Sequence, residues 1–198
     1  MKIVGVAGSP RHDKSSKFLL ERCLQSVRSV AADQQEQIET ELIDLAGMEF
    51  SGCISCNLCK KGLQCSLQDD FQPLLEKLAA PDIAGIILAT PVYMGSMTAQ
   101  MKAFIDRTVA HRRNGFLFRD KVGAAIAVGG SRNGGQELTI QAVHAAMMIH
   151  DMVIVGDGGH FGGIAWGNHP GGYAEDNVGI ATAEKLGERV AHLALRLS

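Results

Sequence analysis

Four cysteines lie between residues 53 and 65 in the pattern Cys-x2-Cys-x2-Cys-x5-Cys. Iron–sulfur clusters are held by four cysteine thiolates, and the first three here could wrap one corner of a cubane while the fourth closes it. A structural zinc site more often has two Cys-x2-Cys pairs separated by a longer finger, so the spacing favours a [4Fe-4S] cluster. Free thiols, zinc and a redox disulfide are the alternatives. The candidate metal ligands are Cys53, Cys56, Cys59 and Cys65.

A polar loop, residues 8–16, joins an apolar segment to a helical pattern and reads Gly-Ser-Pro-Arg-His-Asp-Lys-Ser-Ser. Hydroxyls, an arginine and free backbone N–H groups at a helix N-terminus are what a phosphate monoester requires. The loop is neither a Walker loop nor GxGxxG, which disfavours a nucleoside triphosphate or a Rossmann dinucleotide. The alternative is an ordinary helix start, for which residues 13–16 offer several caps.

A second loop, residues 89–98, contains the turn Pro91-Val92-Tyr93 followed by small residues. Such a turn can place backbone amides along the edge of a flat heterocycle, while Tyr93 or Met94 covers a face of the ring. Ser96 or Thr98 would then cap the next helix. The alternative is that Tyr93 and Met94 only close the top of the core.

A third loop, residues 129–137, reads Gly-Gly-Ser-Arg-Asn-Gly-Gly-Gln-Glu. Its glycines permit positive φ angles and close contact between the backbone and a ligand, although a flexible surface turn would look similar.

Strand patterns alternate with helix patterns along the chain, and this alternation predicts where the three loops lie in the fold. Parallel strands joined by right-handed crossovers give a doubly wound five-stranded α/β sheet, in which ligands bind beyond the carboxyl ends of the strands. All three loops follow strands, so the fold gathers them at one edge. The predicted strands are Ile3–Ala7, Ile38–Leu45, Ile83–Ala89, Val122–Val128 and a weaker Met152–Val155. The first predicted helix begins at Ser15. Four more are predicted over residues 71–80, 98–110, 136–150 and about 175–197.

The charge of the chain and the length of its apolar segments exclude several classes of protein. The formal charge of -2 gives no reason to expect nucleic acid or an anionic membrane as a partner. The longest apolar run, Ile83–Ala89, is far shorter than the roughly 20 residues of a membrane span, and the N-terminus does not resemble a secretion signal. We therefore expect a cytoplasmic, soluble protein, with residues 1–198 forming one domain and residues 46–70 a cysteine-rich loop within it.

Three sets of residues together resemble a known family. They are Gly8-Ser9-Pro10-Arg11 with Ser15-Ser16, then Pro91-Val92-Tyr93 through Thr98 with Met101-Lys102-Ala103-Phe104-Ile105-Asp106-Arg107, and Gly134-Gly135-Gln136-Glu137. This combination, over roughly residues 1–165, resembles the flavodoxin-like NAD(P)H-dependent FMN reductases. The compact cysteine pattern after the second strand is similar to that of their iron–sulfur flavoprotein branch.

The resemblance implies where FMN binds. Its phosphate would lie at Ser9, Arg11, Ser15 and Ser16. Its ring would lie against Pro91, Val92, Tyr93, Met94, Gly95 and Ser96. The other side of the ring would be closed by the segment that contains Gly130, Ser131, Gly134 and Gly135. In many members that segment lies at a subunit interface, and a homodimer or homotetramer is expected.

The resulting hypothesis is a redox flavoprotein in which FMN and a [4Fe-4S] cluster pass electrons between a two-electron donor and one-electron acceptors. The cofactors carry the chemistry, so no catalytic acid or base is assigned. The alternatives are a plain NAD(P)H-dependent FMN or quinone reductase without a cluster, and a non-enzymatic flavin or thiol redox sensor. NAD(P)H and a ferredoxin-type carrier are both possible electron partners.

Several other residues receive structural interpretations. Cys23 is expected in the core, Asp106 and Arg107 as a structural pair, and Asp69-Asp70 as a cap for the helix near Phe71. Trp166 and residues 111–114 receive no firm role.

Overall fold

A parallel sheet forms the centre of the computed structural model, which describes residues 1–198. The strands are β1 (Lys2–Ala7), β2 (Glu39–Asp44), β3 (Ile83–Pro91), β4 (Val122–Gly129), β5 (Val153–Ile154) and β6 (Gly163–Trp166). Their order is β2-β1-β3-β4-β5, with β6 also paired to β4, and every pairing is parallel. This is the predicted flavodoxin-like arrangement.

Helices cover both faces of the sheet. They are α1 (Ser15–Asp33), α2 (Gln72–Lys77), α3 (Ala99–Arg107), α4 (Val109–Arg113), α5 (Gln136–Ile149) and α6 (Asn177–Leu197). One apolar core packs α1 and α6 against the sheet, and a second core on the opposite face packs α2, α3 and α5. The central strands are therefore apolar on both faces, which explains their continuous hydrophobic sequences. Cys23 is fully buried in the first core, as expected, and burial raises the pKa of its thiol.

The fifth strand position differs from the prediction. β5 has only two residues, paired with Val122 and Gly123, and β6 continues beside β4 from Ile126 to Gly129. Residues 155–162 loop out between them. The glycines of this stretch hid β6 from the sequence pattern, because glycine is rare in strand interiors.

The predicted helix over 98–110 is also divided. Thr108 ends α3, and its hydroxyl donates to the carbonyl oxygen of Ile105 at 2.6 Å before α4 begins. No helix of the structure has both the length and the apolar character needed to cross a membrane.

Candidate functional site

The first two loops are joined by one side chain. Thr98 is the N-cap of α3: its Oγ1 accepts a hydrogen bond from the N–H of Met101 at 3.0 Å and donates to the carbonyl oxygen of Gly8 at 2.6 Å. The strand ends are in register here, because the N–H of Gly8 donates to the carbonyl oxygen of Ala89 at 2.8 Å. Thr98, and not Ser96, is thus the cap that the sequence offered.

The N-terminus of α1 is free to bind an anion. Lys14 stands at the N-cap position, no side chain caps the helix, and so the caps predicted among residues 13–16 are not formed. Ser16 is 1% exposed, and its hydroxyl has no hydrogen-bond partner. Because buried polar atoms are almost always paired, this hydroxyl and the uncapped N–H groups fit a bound phosphate.

The other predicted phosphate ligands have distinct surroundings. Ser9 is buried, and its hydroxyl shapes the loop by accepting from the N–H of Arg11 at 3.1 Å. The Arg11 side chain is exposed, and Ser15 is buried at the start of α1. The structure therefore leaves the Arg11 guanidinium and the Ser16 hydroxyl available to a ligand.

The second loop forms a tight turn beyond β3. Tyr93 and Ser96 exchange backbone hydrogen bonds of 2.8 and 3.1 Å, while Met94 and Gly95 have φ angles of +49° and +78°. The N–H groups of Met94 and Gly95 form no hydrogen bond within the chain, and the Met94 side chain is fully exposed. Met94 therefore does not close the core. Unpaired donors beside an exposed apolar side chain fit the edge of a heterocyclic ring.

The third loop lies against the second. Gly135 has φ +89°, and a Cβ atom there would lie 3.5 Å from Cγ1 of Val92 and 3.8 Å from Cα of Gly95. Gln136 shapes the loop: its amide oxygen accepts from the N–H of Gly134 at 2.7 Å and its amide nitrogen donates to the carbonyl oxygen of Ser131 at 2.6 Å. The three loops thus meet at one edge of the sheet.

A fourth segment, which begins with the last residue of β6, completes this edge and was not assigned from the sequence. The indole N–H of Trp166 donates to the carbonyl oxygen of Gly130 at 2.9 Å. Arg132 forms an ion pair with Asp176, which is 1% exposed. Burial would raise the pKa of Asp176, but hydrogen bonds from Arg132 and from two backbone N–H groups outweigh burial and hold the pKa below its usual value. The charged form of Asp176 therefore anchors the third loop.

All four predicted metal ligands line one cavity, and all are unpaired thiols. Cys53 and Cys56 are exposed, Cys65 is partly exposed and Cys59 is buried. No group of three or more His, Cys, Asp or Glu side chains has the geometry of a formed metal-ion site.

Three of the four sulfurs accept a hydrogen bond. The donors are the N–H of Ser55 to Cys53 at 3.3 Å, the Ser66 hydroxyl to Cys56 at 3.0 Å, and Nη1 of Arg113 to Cys59 at 3.2 Å. The fourth, Cys65, lies within charge-interaction range of Arg107. The Ser66 hydrogen bond is the main cause that lowers the pKa of the Cys56 thiol. At Cys56 this hydrogen bond therefore favours the thiolate, which is the form that binds metal.

Arg107 holds the two ends of the cysteine loop together. Its side chain is 1% exposed; it donates to the carbonyl oxygen of Ser51 at 3.0 Å and to both carboxylate oxygens of Asp69 at 2.7 and 3.0 Å. The guanidinium also lies 4.7 Å from the ring centroid of Phe71. Arg107 is therefore structural, as expected, although its partner is Asp69, while Asp106 pairs with Lys102.

Residues 113 and 114, which had no firm role in the sequence analysis, belong to this cysteine site. Besides the Arg113 contact, the Asn114 amide donates to the carbonyl oxygen of Cys59 at 3.0 Å. No spacing rule could have found these contacts, because they join residues more than fifty positions apart in the chain.

Comparison with known proteins now settles the family, since a model of the NADPH-dependent FMN reductases matches residues 1–166. The chain belongs to this family. It is 43% identical over 196 residues to an iron-sulfur flavoprotein of Methanocaldococcus jannaschii, covering 98% of this chain and 97% of the relative. It is 42% identical over 190 residues to an iron-sulfur flavoprotein of Methanosarcina thermophila, covering 96% and 93%.

The fold of this FMN reductase family member is shared with solved structures. A WrbA-like flavodoxin from Agrobacterium tumefaciens superposes with a TM-score of 0.63 at 20% identity, covering 100% of this chain and 99% of that one. The predicted family, its flavodoxin-like fold and its oxidoreductase class are thereby confirmed.

Proposed function

We propose that the chain binds two redox groups and passes electrons between a two-electron donor and one-electron acceptors. FMN binds at the sheet edge formed by the loops. A [4Fe-4S] cluster binds at Cys53, Cys56, Cys59 and Cys65. The observation that carries the proposal is the single cavity lined by four thiols with donors and arginines directed at the sulfurs. The full-length similarity to relatives named iron-sulfur flavoproteins supports it.

The FMN site is supported by unpaired groups of the right kinds. The uncapped α1 and the buried Ser16 hydroxyl would hold the phosphate, and the N–H groups of Met94 and Gly95 would bind the ring edge. When bound, FMN accepts two electrons and releases them singly, and the cluster carries one electron at a time. The chain itself binds and orients both groups.

A cluster fits the cysteine site better than zinc does. One zinc ion bound by thiolates at about 2.3 Å draws its ligands tightly together. The Cys-x2-Cys-x2-Cys-x5-Cys spacing is more compact than the paired Cys-x2-Cys motifs of a structural zinc site, and all four cysteines line one cavity. Arg107 and Arg113 would offset part of the negative charge that four thiolates bring to this cavity.

Helix α3 sets the separation of the two sites. Its N-cap, Thr98, lies at the loop edge, and its last residue, Arg107, lines the cysteine cavity. Nine residues at about 1.5 Å each place these ends roughly 14 Å apart. A rigid helix therefore connects the two proposed cofactor sites.

For the electron partner we propose an acidic one-electron carrier of the ferredoxin type. Cys53 and Cys56 are exposed beside Ile54, and Lys60 and Lys61 are exposed on the next turn. A basic rim around an apolar centre suits an acidic protein and speeds association at low salt. A rate that is independent of ionic strength would contradict this choice and favour NAD(P)H. The five unpaired thiols suit a reducing compartment.

The testing experiment is an anaerobic visible spectrum with iron, acid-labile sulfide and FMN measured per chain. We expect about four irons and one FMN. Cys56→Ala should lose the cluster absorbance and keep FMN, while Cys23→Ala, which removes a core thiol far from the cavity, should keep both. FMN without iron after anaerobic reconstitution, or iron and sulfide retained in Cys56→Ala, would overturn the cluster assignment and leave a plain flavin reductase.

A further inference from the structure

The turn that follows β2 is in contact with both of the proposed cofactor sites. It comprises residues 44–48, is called here the β2 turn, and leads into the cysteine pattern that starts at Cys53. Its start is fixed to the sheet, because the N–H of Leu45 donates to the carbonyl oxygen of Ala7 at 2.9 Å. The Asp44 carboxylate accepts the N–H of Ala46 at 3.1 Å. Side chains from two other elements hold the rest of the turn.

Lys17 connects the β2 turn to the first loop, residues 8–16. Its ammonium nitrogen lies 2.7 Å from Oδ1 of Asp13 and 3.3 Å from Oδ2 of Asp44. Hydrogen bonds to these two carboxylates raise the pKa of Lys17, so the contact is fully charged at neutral pH. Asp13 lies in the chain between Arg11 and Ser16, two of the proposed phosphate ligands. The position of the first loop is therefore linked to the position of Asp44.

The His12 side chain packs against the far end of the β2 turn. Gly47 has a φ angle of +76°, and a Cβ atom there would lie 3.0 Å from Nε2 and 3.2 Å from Cε1 of His12. The absence of a side chain at Gly47 lets the imidazole approach the backbone this closely. His12 directly follows Arg11, so a phosphate that holds Arg11 also restrains the contact between His12 and Gly47.

A third contact to the β2 turn comes from α3. The Gln100 amide donates to the carbonyl oxygens of Leu45 and Met48, the latter at 3.5 Å. Gln100 lies two residues after Thr98, whose hydroxyl bonds to the carbonyl oxygen of Gly8 in the first loop. The β2 turn is thus held by the first loop and by the start of α3, and both of these belong to the proposed flavin edge.

The first loop has few restraints of its own. Asp13 has a φ angle of +47°, which residues with side chains rarely adopt, and no side chain caps α1. A bound phosphate would hold Arg11 against the start of α1 and so favour the conformation in which His12 and Lys17 contact the β2 turn. A cluster fixes the chain from Cys53 onward and favours an ordered β2 turn in the same way. Both groups therefore favour the same set of contacts.

We propose that FMN and the cluster strengthen each other's binding through the β2 turn, with His12, Lys17 and Gln100 as the positioning residues that transmit the effect. Since both groups must bind, the proposal rests on the proposed function. A ligand shifts an equilibrium between two arrangements only through its preference for one of them, and here both ligands prefer the arrangement in which the turn is held. Coupling of this kind is reciprocal, so the cluster must raise the affinity for FMN if FMN raises the affinity for the cluster.

The test compares two anaerobic forms of the flavin-depleted full chain, one with its cluster and one from which the cluster has been removed. Titration of FMN, followed by quenching of its fluorescence, should give a dissociation constant about tenfold lower in the form with the cluster. In the reciprocal measurement, iron should be released to a chelator more slowly when FMN is bound. Equal dissociation constants in the two forms would overturn the coupling and leave the proposed function intact. A chain that takes up no FMN or no iron would instead overturn the proposed function, and the coupling with it.

Two variants test the role of the β2 turn. Lys17→Met removes the link to Asp44, and Gln100→Leu removes both bonds to the carbonyl oxygens of the turn. Each variant should still bind FMN and the cluster, but the difference in FMN affinity between the two forms should shrink to less than about threefold. Lys14→Met is the matched control, because Lys14 is an exposed cation of the first loop that does not contact the turn. It should change FMN affinity equally in both forms. A full tenfold difference retained in both Lys17→Met and Gln100→Leu would overturn the assignment of the coupling to this turn.

Discussion

The hydroxyl of Thr98 donates to the carbonyl oxygen of Gly8 at 2.6 Å and thereby joins the end of β1 to the start of α3. The same oxygen accepts the N–H of Met101. Thr98→Val should therefore cost about 1–2 kcal/mol of unfolding free energy, the usual cost of a lost cap, and weaken FMN binding as the loops separate. Thr98→Ser keeps both bonds and is the control. Urea unfolding and FMN fluorescence titration measure the two effects; an unchanged FMN affinity in Thr98→Val would contradict the link.

Ser16→Ala should separate binding from stability. Because the buried Ser16 hydroxyl has no partner in the chain, its removal should leave the stability of the FMN-free protein unchanged or raise it slightly. FMN affinity should fall by about tenfold, which corresponds to the loss of one hydrogen bond to a charged group. Ser29→Ala, which removes a hydroxyl bonded to the carbonyl oxygen of Gln25 on the same helix, should not change FMN affinity. A loss of stability with affinity unchanged would contradict the phosphate site.

Arg107→Met should release the cysteine loop. The change leaves the carboxylate of Asp69 without its bidentate partner, and breaking such a buried pair costs about 3–5 kcal/mol. We expect lower iron content after reconstitution and a lower urea midpoint. Lys102→Met breaks only the exposed pair with Asp106 and should cost less than about 0.5 kcal/mol. Equal effects of the two substitutions would show that Arg107 does not clamp the loop.

Arg113→Met should lower the reduction potential of the proposed cluster. Arg113 supplies both a hydrogen bond to Cys59 and a positive charge, and both favour the reduced, more negative state. The expected shift is on the order of tens of millivolts, in anaerobic potentiometric titration followed by visible absorbance. Lys60→Met removes a solvent-exposed charge from the same region and should shift the potential much less. A shift toward more positive potential would contradict the assigned role.

Acid should destabilise the protein through its buried histidines. Burial lowers the pKa of His150 from 6.5 to about 4, and repulsion from a protonated His111 and from the charge of Arg112 acts in the same direction. Between these pH values the unfolded chain binds a proton that the folded chain does not, so stability falls as the pH drops from about 6.5 toward 4, by on the order of 3 kcal/mol in all. Urea unfolding at several pH values measures the slope. His150→Gln should reduce it, and an unchanged slope would refute the assignment.

The positions of the strand ends and their loops could be predicted from the sequence. Continuous apolar segments indicate buried parallel strands, and the carboxyl ends of parallel strands lie at the same edge of the sheet. The Thr98 cap and the cysteine loop followed from local sequence. Arg113, Trp166 and Asp176 could not be found in this way. Their partners, Cys59, Gly130 and Arg132, lie 36 to 54 positions away and meet them only through tertiary packing. The division of the fifth strand escaped the pattern because its two halves are short and glycine separates them.

The break between β5 and β6 also bears on how the molecule behaves when crowded. A long unbroken outer strand presents a row of free amides and carbonyls on which a strand from another chain can assemble, the first step toward fibrils. Here that row is cut by residues 155–162, and the opposite outer strand, β2, carries Glu39 and Glu41. Both margins of the sheet are thereby protected against polymerisation by strand addition.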